Sequence, residues 1–219
     1  MSVIAIDGPA GAGKSTVARA VARRLGFEYL DTGAMYRALA LAALERGVDL
    51  ADGDALSALA EAVDVDVERD LVRLDGKDVT EDIRAAPVTA AVSRVAAAPG
   101  VRAAMAERQR RLAERGDVVI EGRDIGSTVA PDAEVKFFLT ASKLQRAERR
   151  ARQLGLPTDE RSLEELARSI DERDRADAER AASPLVKAGD AVVIDSSDRT
   201  VEEVVDEIVR AARGVTNEP

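Results

Sequence analysis

An octapeptide near the N-terminus, Gly8-Pro9-Ala10-Gly11-Ala12-Gly13-Lys14-Ser15, constrains the fold more than any other part of the chain. It fits G-x-x-x-x-G-K-[ST] in full. Before it stands a short apolar run, Val3-Ile4-Ala5-Ile6; after it, Val17, Ala18, Val21, Ala22 and Leu25 repeat at helical spacing until Gly26 stops the pattern. A strand, a glycine-rich turn and a helix in that order predict backbone N–H groups turned inward around an anion. Glycine is needed where a Cβ would block the approach or where φ is positive. The unpaired N–H groups and positive dipole end of the helix point the same way. In that reading Lys14 bridges the outer phosphates of a nucleotide and the Ser15 hydroxyl coordinates Mg²⁺.

Composition narrows the chemistry further. The 219 residues include no Cys and no His. Thiolate nucleophiles, disulfides, His-ligated zinc, Ser-His-Asp triads and imidazole proton shuttles are therefore excluded. What remains is carboxylates, Lys, Arg, hydroxyls, backbone amides and a hard cation. A formal net charge of −9 and 2% aromatic residues argue against a nucleic-acid partner, which wants cationic grooves and stacking rings. With neither a signal-peptide pattern nor the roughly 20 apolar residues a bilayer requires, a soluble cytoplasmic protein without membrane contact is expected.

Apolar β-like runs alternate with helical patterns, which is the α/β signature. Buried strands are predicted at 3–6, 27–30, 118–120, 135–139 and 192–194, forming a five-stranded parallel sheet, with a helix over Lys14–Leu25. The segment 64–82 differs, because apolar and polar residues alternate around Asp75-Gly76, a hairpin turn signal. It is read as a small antiparallel insertion. The tail from Gly214 to Pro219 is expected to be disordered.

A phosphate cradle identifies a donor, and the second substrate must be read elsewhere. Asp31-Thr32-Gly33-Ala34-Met35-Tyr36-Arg37 follows the second strand, where ligands of a parallel sheet collect. Thr32 and Arg37 suit an anion clamp, although Asp31 or Thr32 serving as a helix cap and Arg37 lying in solvent fit equally well. The third strand runs into Glu121-Gly122-Arg123-Asp124-Ile125-Gly126. Glu121 stands where a carboxylate would orient Mg²⁺ through water, and Arg123 between two phosphates; the flanking glycines point to a close backbone approach. Arg146, Arg149 and Arg150 share one helical face, which by itself reads as a solvated surface; Arg173, Asp177 and Arg180 share another. Gly155-Leu156-Pro157 between the two helices suits the tip of a lid.

These segments together resemble the bacterial cytidylate kinases, in the nucleoside monophosphate kinase branch of P-loop enzymes. The resemblance rests on GPAGAGKST, LDTGAMYR, EDIR…P…VSRVAAAPGVR, EGRDIG, ERDRADAERAASPL and the late DSS segment, and spans nearly the whole chain. It implies a P-loop three-layer sandwich and transfer of the ATP γ-phosphoryl group to CMP or dCMP, with Mg²⁺ and in a monomer. One kinase domain over 1–219 is expected, with a core of 1–30, 85–144 and 185–213. A monophosphate-binding region would cover 31–84, and a lid with its flanking helices 145–184.

By matching positions, the resemblance assigns Gly8 through Ser15 together with Thr16 to ATP, and Thr32, Tyr36 and Arg37 to the acceptor pocket. Ser93, Arg102 and Asp124 would meet the cytosine edge, and Arg173 and Asp177 the sugar hydroxyls. Arg123 and Arg180 would meet the phosphates, making Lys14, Arg123, Arg173 and Arg180 the catalytic set. Two positions depart from the family pattern: Glu121 stands where Asp is frequent, and Ala176 where some relatives carry an Arg that Arg175 would have to replace. Kinases for UMP, dTMP or shikimate share the cradle but not the Ser93, Arg102 and Asp124 set, and a nucleotide-binding regulator would need no acceptor at all.

Overall fold

The computed structural model describes residues 2–68, 70–180 and 182–216. Five parallel strands form the central sheet: β1 (Val3–Asp7), β2 (Glu28–Asp31), β6 (Val118–Glu121), β7 (Val135–Thr140) and β8 (Val192–Asp195). Their order is β2-β6-β1-β7-β8, with Ile4 opposite Val119 on one side and Val135 on the other. All five expected strands are present, but β8 is not the buried strand expected at 192–194: it lies at the sheet edge, where Val192 and Val193 are exposed and only Ile194 is buried. β1 is therefore central, and the loop after it opens at the switch point where the crossovers turn to opposite sides.

The side-chain period of two divides the core into two halves. Ala5, Leu30, Val118 and Ile120 face a cluster with α2 (Thr32–Glu45), α3 (Gly53–Ala62), α4 (Ala86–Val95) and α5 (Pro99–Ala113). Ile4, Ile6, Tyr29, Val119, Phe137 and Ile194 face the other, with α1 (Lys14–Leu25) and α8 (Val201–Thr216). The result is three layers, helices on sheet on helices. A helical hairpin, α6 (Lys143–Leu154) and α7 (Glu160–Ala178), stands apart around its own small cluster of Ala147, Ala151 and Leu163.

The insertion is a three-stranded antiparallel sheet, β3 (Val65–Glu68), β4 (Leu71–Leu74) and β5 (Lys77–Asp78). Asp75 at φ 50 and Gly76 at φ 80 form the two-residue turn between β4 and β5, as the Asp-Gly pair demands. Val65, Val67, Val72 and Leu74 pack into the α2 side of the core. That explains why α2 is apolar on every side: it lies between two sheets.

Two expectations need correction. α8 continues to Thr216, so 214–216 are helical, and only 217–219 of the supposed disordered tail lie outside the described residues. α7 ends at Ala178, so Arg180 lies beyond the helix rather than on its face.

Candidate active site

The carboxyl ends of the strands present Asp7, Asp31, Glu121, Thr140 and Asp195 along one edge, above which the glycine-rich loop wraps. Gly8, Gly11 and Gly13 have φ of 146°, 75° and 93°. A Cβ on Gly8 would stand 2.0 Å from the Leu139 carbonyl oxygen, and one on Gly11 would stand 2.8 Å from that of Arg146. The loop is thus pressed against β7 and α6, with no room for larger residues.

Lys14 begins α1, buried, and donates to the Pro9 carbonyl at 2.8 Å. Burial, reinforced by the Arg123 guanidinium, lowers its ammonium to about 7 despite the opposing pull of Glu121, Asp7 and Asp174. Ser15 donates to Glu121 Oε2 at 3.0 Å, and the Tyr29 hydroxyl donates to Oε1. Thr32 donates to the Glu121 carbonyl at 2.7 Å. Burial, with Asp31 nearby, raises the Glu121 carboxyl, while Lys14 and the two hydroxyls oppose that rise. A hydroxyl and a carboxylate held this close supply hard oxygen donors of the kind Mg²⁺ takes beside substrate phosphates, so the residues fit that cation.

Asp7 accepts from the backbone N–H groups of Ile125 at 2.9 Å and Gly126 at 2.8 Å, joining the end of β1 to the loop that carries Arg123 and Asp124. Burial raises its carboxyl to about 6, against those two donors. The glycines in this loop do have close neighbours, but the neighbours are protein atoms. A Cβ at Gly122 would meet Ile125 at 2.6 Å, and one at Gly126 would meet Lys136 at 3.1 Å.

Above the sheet edge the structure gathers arginines from three helices and two loops. Arg123 donates through Nε to Asp177 at 2.9 Å and through its terminal nitrogen to the Gly8 carbonyl at 2.6 Å. Arg180 also pairs with Asp177, which is almost wholly buried. Arg173 Nε is buried without a partner, and burial beside Arg123, Arg150 and Arg37 lowers its guanidinium to about 10. Arg37 pairs with Asp31 at 2.8 Å, while Asp31 caps α2 through the Ala34 N–H; the cap and the arginine work together. Among the described residues, Arg37, Arg123, Arg150, Arg173 and Arg180 have only Asp31 and Asp177 as ion-pair partners. Such an excess of partly buried positive charge favours the entry of an anion.

Next to it lies a buried ion pair. Arg102 donates to Asp124 at 2.7 Å, both side chains under 10% exposed, and its guanidinium lies 5.4 Å from the centre of the Tyr36 ring. Burial pushes the Tyr36 phenol up to about 12. Ser93 is half-buried on α4, and no hydrogen bond ties it to this pair among the described residues.

The sequence understated the first arginine face. Arg146 is buried, donates to the Ala10 carbonyl at 3.2 Å and pairs with Asp171 and Asp174, while Asp174 accepts from the Ala10 N–H at 2.9 Å. Arg149 donates to the Ala12 carbonyl at 3.2 Å and to the Ser196 carbonyl at 2.6 Å. These side chains brace the glycine-rich loop rather than face water. Arg150, set aside with them, lies beside Arg37, and Arg175 stays exposed on α7. The spacing of these arginines gave no signal for this role, since a solvated helical face has the same period.

A structural comparison finds a crystal structure of an uncharacterized protein from Eubacterium ventriosum at a TM-score of 0.54 and 14% identity, covering 100% of each chain, which speaks for the fold. A curated cytidylate kinase from Pelotomaculum thermopropionicum is 54% identical over 211 residues, covering 94% of this chain and 93% of its own length. Another, from Limosilactobacillus fermentum, is 51% identical over 213 residues, covering 94% and 92%. With the family model for cytidylate kinase matching residues 4–214 across the cradle, the arginines and the Arg102–Asp124 pair alike, the chain belongs to the cytidylate kinase family.

Proposed function

We propose that this protein transfers the γ-phosphoryl group of ATP to CMP or dCMP, giving ADP and CDP or dCDP. The observation that carries the reading is the set of under-neutralised guanidinium groups beside the glycine-rich loop. A loop serving one nucleotide has no need of a second cationic site, whereas joining two anions does.

The acceptor phosphate is already an anionic nucleophile, so no imidazole base is required. The loop amides and Lys14 hold the donor phosphates. Arg37 holds the acceptor phosphate, while Arg123, Arg180 and Arg173 surround the transferring group; Arg150 joins them from α6 in place of the cation absent at Ala176. Alignment and charge neutralisation then lower the barrier. Ser15 and, through water, Glu121 would hold Mg²⁺, which would supply neutralising charge at the phosphates. The Arg102–Asp124 pair offers adjacent donors and acceptors to the cytosine edge, with Ser93 beside it, and Asp177 addresses the sugar.

The proposed division of labour is a core of 1–30, 85–144 and 185–213, a monophosphate-binding region at 31–84 and a lid at 145–184. A cytoplasmic monomer suits this reading. The test is ADP release with ATP and Mg²⁺ against CMP, dCMP, UMP, dTMP and shikimate. Selective turnover of CMP and dCMP is expected; equal turnover of UMP, or hydrolysis independent of any acceptor, would refute the assignment.

A further inference from the structure

We propose that Tyr29 is a positioning residue for the metal site, its phenol fixing the Glu121 carboxylate so that the second oxygen stays beside Ser15. This rests on the reading of Ser15 and Glu121 given above. The backbone of Glu121 is held by strand pairing with Ile6 and Asp31 and by the Thr32 hydroxyl on its carbonyl. Its side chain is not held by these contacts. A glutamate has one more rotatable bond than an aspartate, and a carboxylate that must meet a cation from a defined direction needs both oxygens engaged.

Sheet geometry supplies the partner. Tyr29 on β2 stands opposite Val119 on β6, and Glu121, two residues on, points to the same face. That diagonal separation suits an aromatic side chain, and the Tyr29 hydroxyl reaches Glu121 Oε1 while Ser15 takes Oε2. The ring is itself immobilised: it is 6% exposed within the α1 side of the core, and the Arg19 guanidinium lies 5.1 Å from its centre. Arg19 in turn pairs with Asp70 at the edge of the insertion, at 3.0 Å. A phenylalanine would fill the same volume and leave Oε1 unpartnered, so the hydroxyl is the functional part of the residue.

The experiment compares Tyr29→Phe with the unsubstituted protein. Mn²⁺ affinity of the complex with a non-hydrolysable β,γ-imido analogue of ATP is read by electron paramagnetic resonance. Metal-free analogue binding and the KM for CMP are read in parallel. The expected result is Mn²⁺ binding weakened about tenfold, in the range found when outer partners of metal ligands are removed, with the other two readings unchanged. A weakening below about threefold, or an equal loss of metal-free binding, would overturn the proposal and leave a packing role.

Should Tyr29→Phe not fold, tyrosine emission decides. The chain has no Trp and two Tyr, so a Tyr36→Phe background reports Tyr29 alone. Mg²⁺ with the analogue should change that emission, and Glu121→Gln should abolish the change; an emission indifferent to both would overturn the proposal. Failure here in a protein that still phosphorylates CMP removes the role of Tyr29 only, whereas absence of CMP phosphorylation in the unsubstituted protein removes the wider reading.

Discussion

Asp124→Asn separates the chemistry of the proposed acceptor site from its packing. The substitution keeps the shape of the side chain and removes its charge, leaving Arg102 with an exposure of 4% and no ionised partner. Breaking a buried pair by removing one partner costs about 3–5 kcal/mol, and the neutral hydrogen bond that asparagine retains returns about 1. A net loss of about 3 kcal/mol corresponds to a fall in Tm of about 6–12 °C for a chain of this size. Differential scanning calorimetry without ligand measures it, and steady-state turnover on CMP and UMP measures discrimination. The double variant Arg102→Met with Asp124→Leu should regain most of the stability, because an apolar pair of similar volume carries no desolvation cost. It should not regain discrimination. A single variant that melts within about 2 °C of the unsubstituted protein would refute the energetic argument. A double variant that still prefers CMP would refute the base-reading role.

Other expectations follow from the same contacts. Lys14→Ala should fold, by circular dichroism, yet lose about 3–4 kcal/mol of transition-state stabilisation, read as a hundredfold to thousandfold fall in kcat; undiminished turnover would refute the donor assignment. Because the Lys14 ammonium lies at about 7 in the free protein, it is mostly neutral at pH 8 and a bound triphosphate must charge it. Calorimetry of analogue binding in buffers of different ionisation heat should show proton uptake at that pH, and none would contradict the burial argument. Asp7 is raised from 3.8 to about 6, so the folded protein holds its proton more tightly than the unfolded chain does. Its contribution is therefore greatest below pH 4 and falls by about 3 kcal/mol as pH rises through 6. Urea unfolding at several pH values should show the stability difference between Asp7→Asn and the unsubstituted protein shifting in the variant's favour by that amount, and a pH-independent difference would refute it.

The strands and the cradle were legible because they depend on local pattern. Val3 to Ile6 and Val118 to Ile120 are buried on both faces and read as apolar runs, while Gly8, Gly11 and Gly13 mark backbone angles that other residues resist. Glu121 and Ser15, 106 residues apart, were each singled out on local grounds, and the fold brings them within 3.0 Å. Partnership between distant polar side chains was not legible. Nothing in the spacing of Arg146 or Arg149 distinguishes a charge that braces a backbone loop from one that faces water, since both satisfy helical periodicity. Tyr29 was hidden for a related reason: a tyrosine in an apolar strand reads as packing, and its hydroxyl acquires meaning only when β2 is set beside β6. The glycines around Arg123 do mark a close approach, and the side chains that crowd them are those of Ile125, Thr32 and Lys136.

The two flanks of the proposed acceptor site are fastened by different kinds of force. The β3–β5 sheet shares hydrocarbon with α2 and the central strands, whereas the α6–α7 hairpin keeps its own small apolar cluster and reaches the glycine-rich loop through Arg146, Asp174 and Arg149. Oily joints slacken in the cold, whereas the hairpin's Arg146 is buried against Asp174, where added electrolyte screens it little. Cooling therefore loosens the insertion's jaw before the hairpin's, and salt acts first on the exposed Arg19–Asp70 and Arg46–Asp75 pairs of that same insertion.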